Sequence, residues 1–140
     1  MVSTDIRSNK LKILKSNPCG TFLFYDKSEK IQLRIFVKIK INYKNEVTKN
    51  SWKKTSHMSR QCYLGDMAPG SNISLGTSGL TENIDNYKYT IEESESGYKN
   101  FCVIEGFVNN IEWLYLAAKG HRRASFDLKN KFIKKKWLIP

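Results

Sequence analysis

The sequence is poor in the residues that build metal centres and covalent cross-links. Its 140 residues include two histidines, His57 and His121, and three cysteines, Cys19, Cys62 and Cys102. No Cys-x-x-Cys or His-x-x-x-His spacing occurs, so the sequence offers no metal site. Widely separated cysteines, odd in number, argue against a disulfide framework and lead us to expect a reducing cytoplasm. No apolar run nears the roughly 20 residues that span a bilayer. Residues 1–14 are polar and charged, without the apolar core of a secretory signal. There is no Gly-x-Ser-x-Gly elbow, no cysteine beside a histidine and no glycine-rich dinucleotide fingerprint. Arginine is scarce too, with Arg7, Arg34, Arg60, Arg122 and Arg123 the only five among 24 basic residues. Arginine is the usual reader of bases and of paired phosphate oxygens, so the net charge of +11 is read as a solvated lysine surface, not a nucleic-acid footprint.

What is present suits one globular domain. Hydrophobic residues make up 40% of the chain and aromatic ones 12%, enough to build a core at this length. Residues 8–16 carry Leu11 and Leu14, a possible Ser8 cap and a terminating Asn17-Pro18, which predicts a short helix. Residues 21–25 and 31–42 predict a β-hairpin. In the second strand Ile31, Leu33, Ile35, Val37, Ile39 and Ile41 alternate with mostly polar residues, placing Gln32 and Arg34 together on the opposite face. Residues 45–55 predict a helix, with Trp52 one residue past ideal spacing. Residues 60–81, with Gly65, Pro69, Gly70, Gly76 and Gly79, predict a long loop, and residues 83–97 are partly helical. Strands are expected at 100–108 and 111–118, separated by a tight turn at Asn109-Asn110, and short final strands at 125–128 and 136–139. The sum is a mainly β protein, a small barrel of antiparallel strands with short helices.

Three places carry anion-binding or hydrogen-bonding groups. Ser3-Thr4-Asp5-Ile6-Arg7-Ser8-Asn9-Lys10 joins hydroxyls, a helix start and cations, which suits a phosphate. Taken alone, it is a capped helix with a solvated lysine. Gln32 and Arg34 share a strand face, and taken alone they are an ordinary sheet surface. The third is Ile111-Glu112-Trp113-Leu114-Tyr115 running into Lys119-Gly120-His121-Arg122-Arg123, where guanidinium forks follow a stiff segment.

In this order the three places resemble the pyridoxamine 5'-phosphate oxidase-like, FMN-binding split-barrel family. The resemblance rests on the Thr-Asp-x-Arg-Ser-x-Lys turn, Asn-Pro, Phe-Tyr-Asp, Gln-Leu-Arg, and the terminal His-Arg-Arg with Trp-Leu-Ile-Pro. It covers nearly the whole chain. It implies that Ser8 and Lys10, with Arg7 beside them, grip the FMN phosphate, and that Gln32 hydrogen-bonds the isoalloxazine ring. It implies that Trp113 and Arg123 contact the flavin from the partner in a homodimer with FMN at the subunit interface. Lys119 and His121 fall where the oxidases proper place an arginine and a histidine against a small-molecule substrate. No residue is assigned a catalytic role. The implied activity is an oxidoreductase in which the flavin takes a hydride from its substrate and an acceptor such as oxygen reoxidises it.

The departures from the family pattern are specific. Lys119 offers a point charge where the oxidases offer a fork. The loop at 60–81 matches no flavin-contact segment. Family members usually begin with a helix and one or two strands bearing an Arg-x-Val-x-Leu-Arg/Lys stretch, and the resemblance leads us to expect that this chain lacks them. One rival reading is therefore a non-catalytic, truncated remnant without cofactor. Another is a basic nucleic-acid-binding barrel, which needs aromatics between lysines on an exposed face; Phe36, among Arg34, Lys38 and Lys40, is the one candidate.

Overall fold

A computed structural model describes residues 1–130 and 132–140. In chain order the elements are β1 (Val2–Asp5), α1 (Asn9–Ser16), β2 (Cys19–Asp26), β3 (Ile31–Asn42), α2 (Glu46–Lys54) and α3 (His57–Arg60). There follow α4 (Glu82–Asp85), α5 (Ile91–Ser94), β4 (Phe101–Tyr115), β5 (Arg122–Asp127) and β6 (Lys134–Leu138). The architecture is mainly antiparallel β with short helices, as the alternation in β3 predicts. Two compact units are distinguished, Met1–Ser16 with Ile41–Glu105 and Asn17–Lys40 with Gly106–Pro140.

In the first unit β1 pairs antiparallel with the start of β4, from Val2 opposite Ile104 to Asp5 opposite Phe101. Sequence patterning misses β1, because four residues are too few to show a period. The core joins Trp52, Tyr63, Phe101 and Val103, with Val47 and Tyr98 packed against them. Trp52 and Tyr63 each meet Phe101 edge-on, with ring centroids 5.0 Å apart, the arrangement that the ring quadrupoles favour. Arg60 is buried against this cluster, its guanidinium 4.5 Å from the Trp52 ring centroid. Its charge is matched by Glu95 Oε1 at 2.6 Å, while Ser94 Oγ and the Trp52 carbonyl accept at 3.0 and 3.2 Å. A buried cation without such partners would be strongly destabilising. Asn45 and Thr48 cap α2 reciprocally, which fixes the helix that delivers Trp52.

In the second unit the strand order is β2-β3-β4-β5-β6, with the β2–β3, β4–β5 and β5–β6 pairs antiparallel. The predicted hairpin forms between β2 and β3. Gly106 allows close packing in β4, since a Cβ there would lie 3.0 Å from the Phe22 ring and 3.2 Å from Val37 and those side chains would have to give way. One expectation is overturned: β4 runs unbroken through Asn109 and Asn110, with no hairpin between them. A tight two-residue turn needs positive φ, and neither asparagine adopts it. The neighbouring strand supplies their partners instead. Asn110 pairs in register with Asp127, its side-chain amide donates to Ser125 Oγ at 3.0 Å, and Asn109 O accepts from the Leu128 N–H at 2.9 Å.

Candidate functional site

Ladder register decides which side chains of the second unit can meet. Leu114 lies opposite Arg123, and Trp113 lies opposite Ala124. Successive residues of a strand point to opposite faces, so Arg123 and Trp113 project to opposite sides of the β4–β5 ladder. The expected pairing of these two on one ligand surface therefore does not form within the chain.

Arg123 instead shares a cavity with Gln32. Together with Arg34, Glu112, Leu114 and Pro140 they line a cavity of about 220 Å³. Arg123 Nη2 donates to Glu112 Oε2 at 2.8 Å, an ion pair that is only partly exposed. Arg34 is exposed and forms no ion pair among the described residues. The lining thus holds two guanidinium groups and the Glu112 carboxylate beside an amide that can donate and accept. Arg34 and Gln32 share a face by simple alternation, which the sequence shows. Glu112 and Pro140 could not have been placed without the register of β4, β5 and the chain end.

Trp113 lines a different cavity, of about 410 Å³, with Ala124, Phe126, Lys135, Lys136 and Trp137. Lys119 and His121 are exposed on the connection between β4 and β5, and neither lines these two cavities. The connection is shaped by Gly120, whose φ of 110° disfavours any side chain, and by its N–H donating to the Ala117 carbonyl at 3.2 Å.

In the first unit the polar turn before α1 has a mixed outcome. Arg7 is committed within the fold: Nε and Nη2 donate to the two oxygens of Asp5, and Nη1 and Nη2 reach the carbonyls of Asp66 and Gly65 at 2.9 Å. Hydrogen bonding to Asp5 is also the leading reason that the Arg7 guanidinium is held above its ordinary pKa. Ser8 is 5% exposed, and its hydroxyl has no hydrogen-bond partner among the described residues. The expected side-chain cap is absent, and the backbone does that work: the Ser8 carbonyl accepts from the Leu11 N–H at 3.0 Å. Lys10 is exposed one residue into the helix. No cluster of three or more metal-type ligands exists among the described residues.

The sequence matches no protein-family model and no curated protein. The fold, however, is the split barrel of the pyridoxamine 5'-phosphate oxidase-like proteins. It is shared with a pyridoxamine 5'-phosphate oxidase-related, FMN-binding protein from Nostoc punctiforme, at TM-score 0.73 and 16% identity over 99% of this chain and 71% of that one. It is likewise shared with PhzG from Burkholderia lata, solved with tetrahydrophenazine-1-carboxylic acid, at TM-score 0.67 and 16% identity over 99% of this chain and 67% of that one. Likeness at this identity establishes the fold; function is argued from the site.

Proposed function

We propose that this chain binds FMN and acts as a flavin-dependent oxidoreductase, in the form of a homodimer. The observation that carries the reading is the convergence of Gln32, Arg34 and Arg123 on one cavity. The pyrimidine edge of an isoalloxazine presents carbonyl oxygens beside an N–H. An amide that both accepts and donates, flanked by guanidinium forks, suits that edge. Ser8 and Lys10 are proposed to hold the phosphate, since the Ser8 hydroxyl is buried, stands at the start of an eight-residue helix and has no hydrogen-bond partner among the described residues. Arg7 is a supporting residue in this reading, since its donors already hold Asp5 and the 65–66 backbone. When bound, FMN would supply hydride acceptance. The protein would orient the ring through Gln32, hold positive charge against its edge through Arg34 and Arg123, and keep Arg123 in place through Glu112.

Lys119 and His121 are proposed to receive an anionic small-molecule substrate, the exposed lysine as a point charge and the imidazole as a donor or acceptor. The cavity of about 220 Å³ falls below the roughly 300–1,000 Å³ of ordinary ligand pockets. That shortfall favours a site completed by a second copy, whose flavin Trp113 is proposed to contact. None of the described helices is long and apolar enough to cross a membrane. We place the protein in the cytoplasm because its three cysteines are all free.

The test is an FMN titration of the purified chain, read by quenching of flavin fluorescence, with riboflavin alongside. FMN should bind more tightly than riboflavin, and Ser8→Ala with Lys10→Met should erase that preference. Gln32→Ala and Arg123→Met should each weaken both flavins by about tenfold, as expected for a lost hydrogen bond to a buried or charged partner. Absence of FMN binding, or binding indifferent to all four substitutions, would overturn the proposal.

A further inference from the structure

In the first unit, the chain between Tyr63 and α4 has no helix or strand. A structureless stretch longer than about 12–15 residues is uncommon inside a compact domain and is usually functional. Every residue from Pro69 to Gly79 is exposed, and its large apolar side chains Ile73 and Leu75 are 47% and 78% exposed. Packing therefore contributes little to holding the segment. Its two ends meet, since a Cβ on Gly65 would lie 3.5 Å from both the Gly79 carbonyl oxygen and the Leu80 side chain. Residues 65–80 thus form a closed surface loop. Between this loop and Arg7, Gln61 and Cys62 lies a cavity of about 410 Å³.

Hydrogen bonding between the loop and the rest of the chain is concentrated in one side chain. Among the described residues, the bonds made by residues 65–80 are internal to the loop, with two exceptions. Both exceptions come from Arg7, whose Nη2 and Nη1 donate to the carbonyls of Gly65 and Asp66 at 2.9 Å. The same guanidinium holds Asp5, so four of its five N–H groups are engaged. Asp5 is 5% exposed and stands opposite Phe101 in the β1–β4 ladder, which gives the fork a rigid base. Within the loop, Gly70 and Gly79 have φ of 85° and 73°, and no atom lies within 4 Å of a Cβ built on either. Such positions absorb backbone rotation without collision. A loosely packed loop is thus joined to a rigid strand by a single side chain.

We propose that residues 65–80 are a lid over this cavity and that Arg7 is its latch. In the closed form the guanidinium fork bridges Asp5 and the two loop carbonyls. Opening breaks the two carbonyl bonds, keeps the Asp5 pair and turns the loop about Gly70 and Gly79. That movement uncovers the wall bearing Gln61 and Cys62. Because the Asp5 pair persists, opening strands no unpaired buried charge, and its cost is that of two hydrogen bonds from a charged donor. A lysine could not serve, since a point charge can hold Asp5 but cannot also span both carbonyls. No flavin contact enters this device, so it stands apart from the FMN reading.

The experiment is NMR relaxation dispersion on the ligand-free full chain, with the reaction rates of Cys62 and Cys19 toward a thiol reagent measured alongside. Amides of residues 65–80 should share one exchange process on the microsecond-to-millisecond scale of lid motions. Arg7→Lys and Arg7→Met should each raise the open population about tenfold, as expected when hydrogen bonds from a charged donor are lost. Cys62, on the cavity wall, should react several-fold faster, while Cys19 on β2 in the other unit keeps its rate. Arg7→Lys retains a charge for Asp5, so amide shifts of β1 and the start of β4 should hold; this variant stands as the test if Arg7→Met does not fold. Absence of dispersion from residues 65–80 in the wild type would make the loop a static tether and overturn the proposal. So would an open population that ignores both substitutions, or a Cys62 rate unmoved while the loop loosens. Loosening shared equally by β1, α1 and the start of β4 would also overturn it, as the mark of general destabilisation.

Discussion

Cys102 and Arg34 show how differently single residues of reactive type can be used. Arg7 and Arg60 are tied into the first unit by carboxylates and carbonyls, whereas Arg34 lines the cavity beside Gln32 and forms no ion pair among the described residues. Cys102 is fully buried and donates its S–H to the Thr4 carbonyl at 3.3 Å, tying β1 to β4. Burial pushes its thiol up to about 11 from 9.0, and pushes the Tyr63 phenol up to about 12 from 10.0. Both groups hold their protons in the fold at pH values where the unfolded chain has released them. Their contribution is therefore complete below pH 9 and is lost progressively as pH rises toward about 11 for Cys102 and about 12 for Tyr63. The thermal midpoint should fall steeply across that window, and less steeply in Cys102→Ala and Tyr63→Phe. Parallel curves for wild type and both variants would contradict this assignment.

Among the elements, the β2–β3 hairpin has the most local control. Asp26 Oδ1 accepts from the Ser28 N–H at 2.9 Å, the Ser28 hydroxyl at 2.6 Å and the Glu29 N–H at 3.0 Å, while Lys30 closes the turn at φ 56°. The Ser28 hydroxyl is the leading reason that the Asp26 carboxyl is held below its ordinary 3.8. A depressed acid stabilises the fold above its unfolded pKa and loses that effect as pH falls through the folded value. Protection of the turn amides against hydrogen exchange should therefore drop under acid conditions below pH 4, and Asp26→Ala should show the lower protection already at neutral pH. Equal protection in the variant at neutral pH would remove the turn's role. This hairpin was legible in the sequence because alternation is short-range, and α1 was legible from Leu11 and the terminating Asn17-Pro18, although its expected Ser8 cap does not form. Gln32 and Arg34 were legible as neighbours for the same reason. The continuity of β4 was not, since Asn109 and Asn110 satisfy both a turn signature and a strand whose partner is set by long-range register. That register also concealed the separation of Trp113 from Arg123, which spacing along the chain cannot show.

At the scale of the whole molecule, the second unit leaves much apolar surface uncovered. Leu23, Phe24 and Tyr25 are consecutive, and each is more than half exposed on β2, which ends the strand order. Isolated exposed apolar residues are ordinary, but three in a row on a sheet edge are an aggregation hazard unless something covers them. A second copy is the proposed cover, and it would also complete the small Gln32–Arg123 cavity. If so, unfolding and cofactor binding are linked to subunit concentration by mass action. The thermal midpoint should rise with protein concentration, and FMN at a hundred times its dissociation constant should add about 2.7 kcal/mol of stability. Phe24→Lys, which places a charge at the edge, should produce a monomer whose midpoint no longer depends on concentration and whose FMN affinity is reduced, measured by light scattering and flavin titration together. Should wild type remain monomeric at every concentration and still bind FMN as tightly as before, the flavin site would lie within one chain, and the uncovered β2 edge would need a partner of another kind.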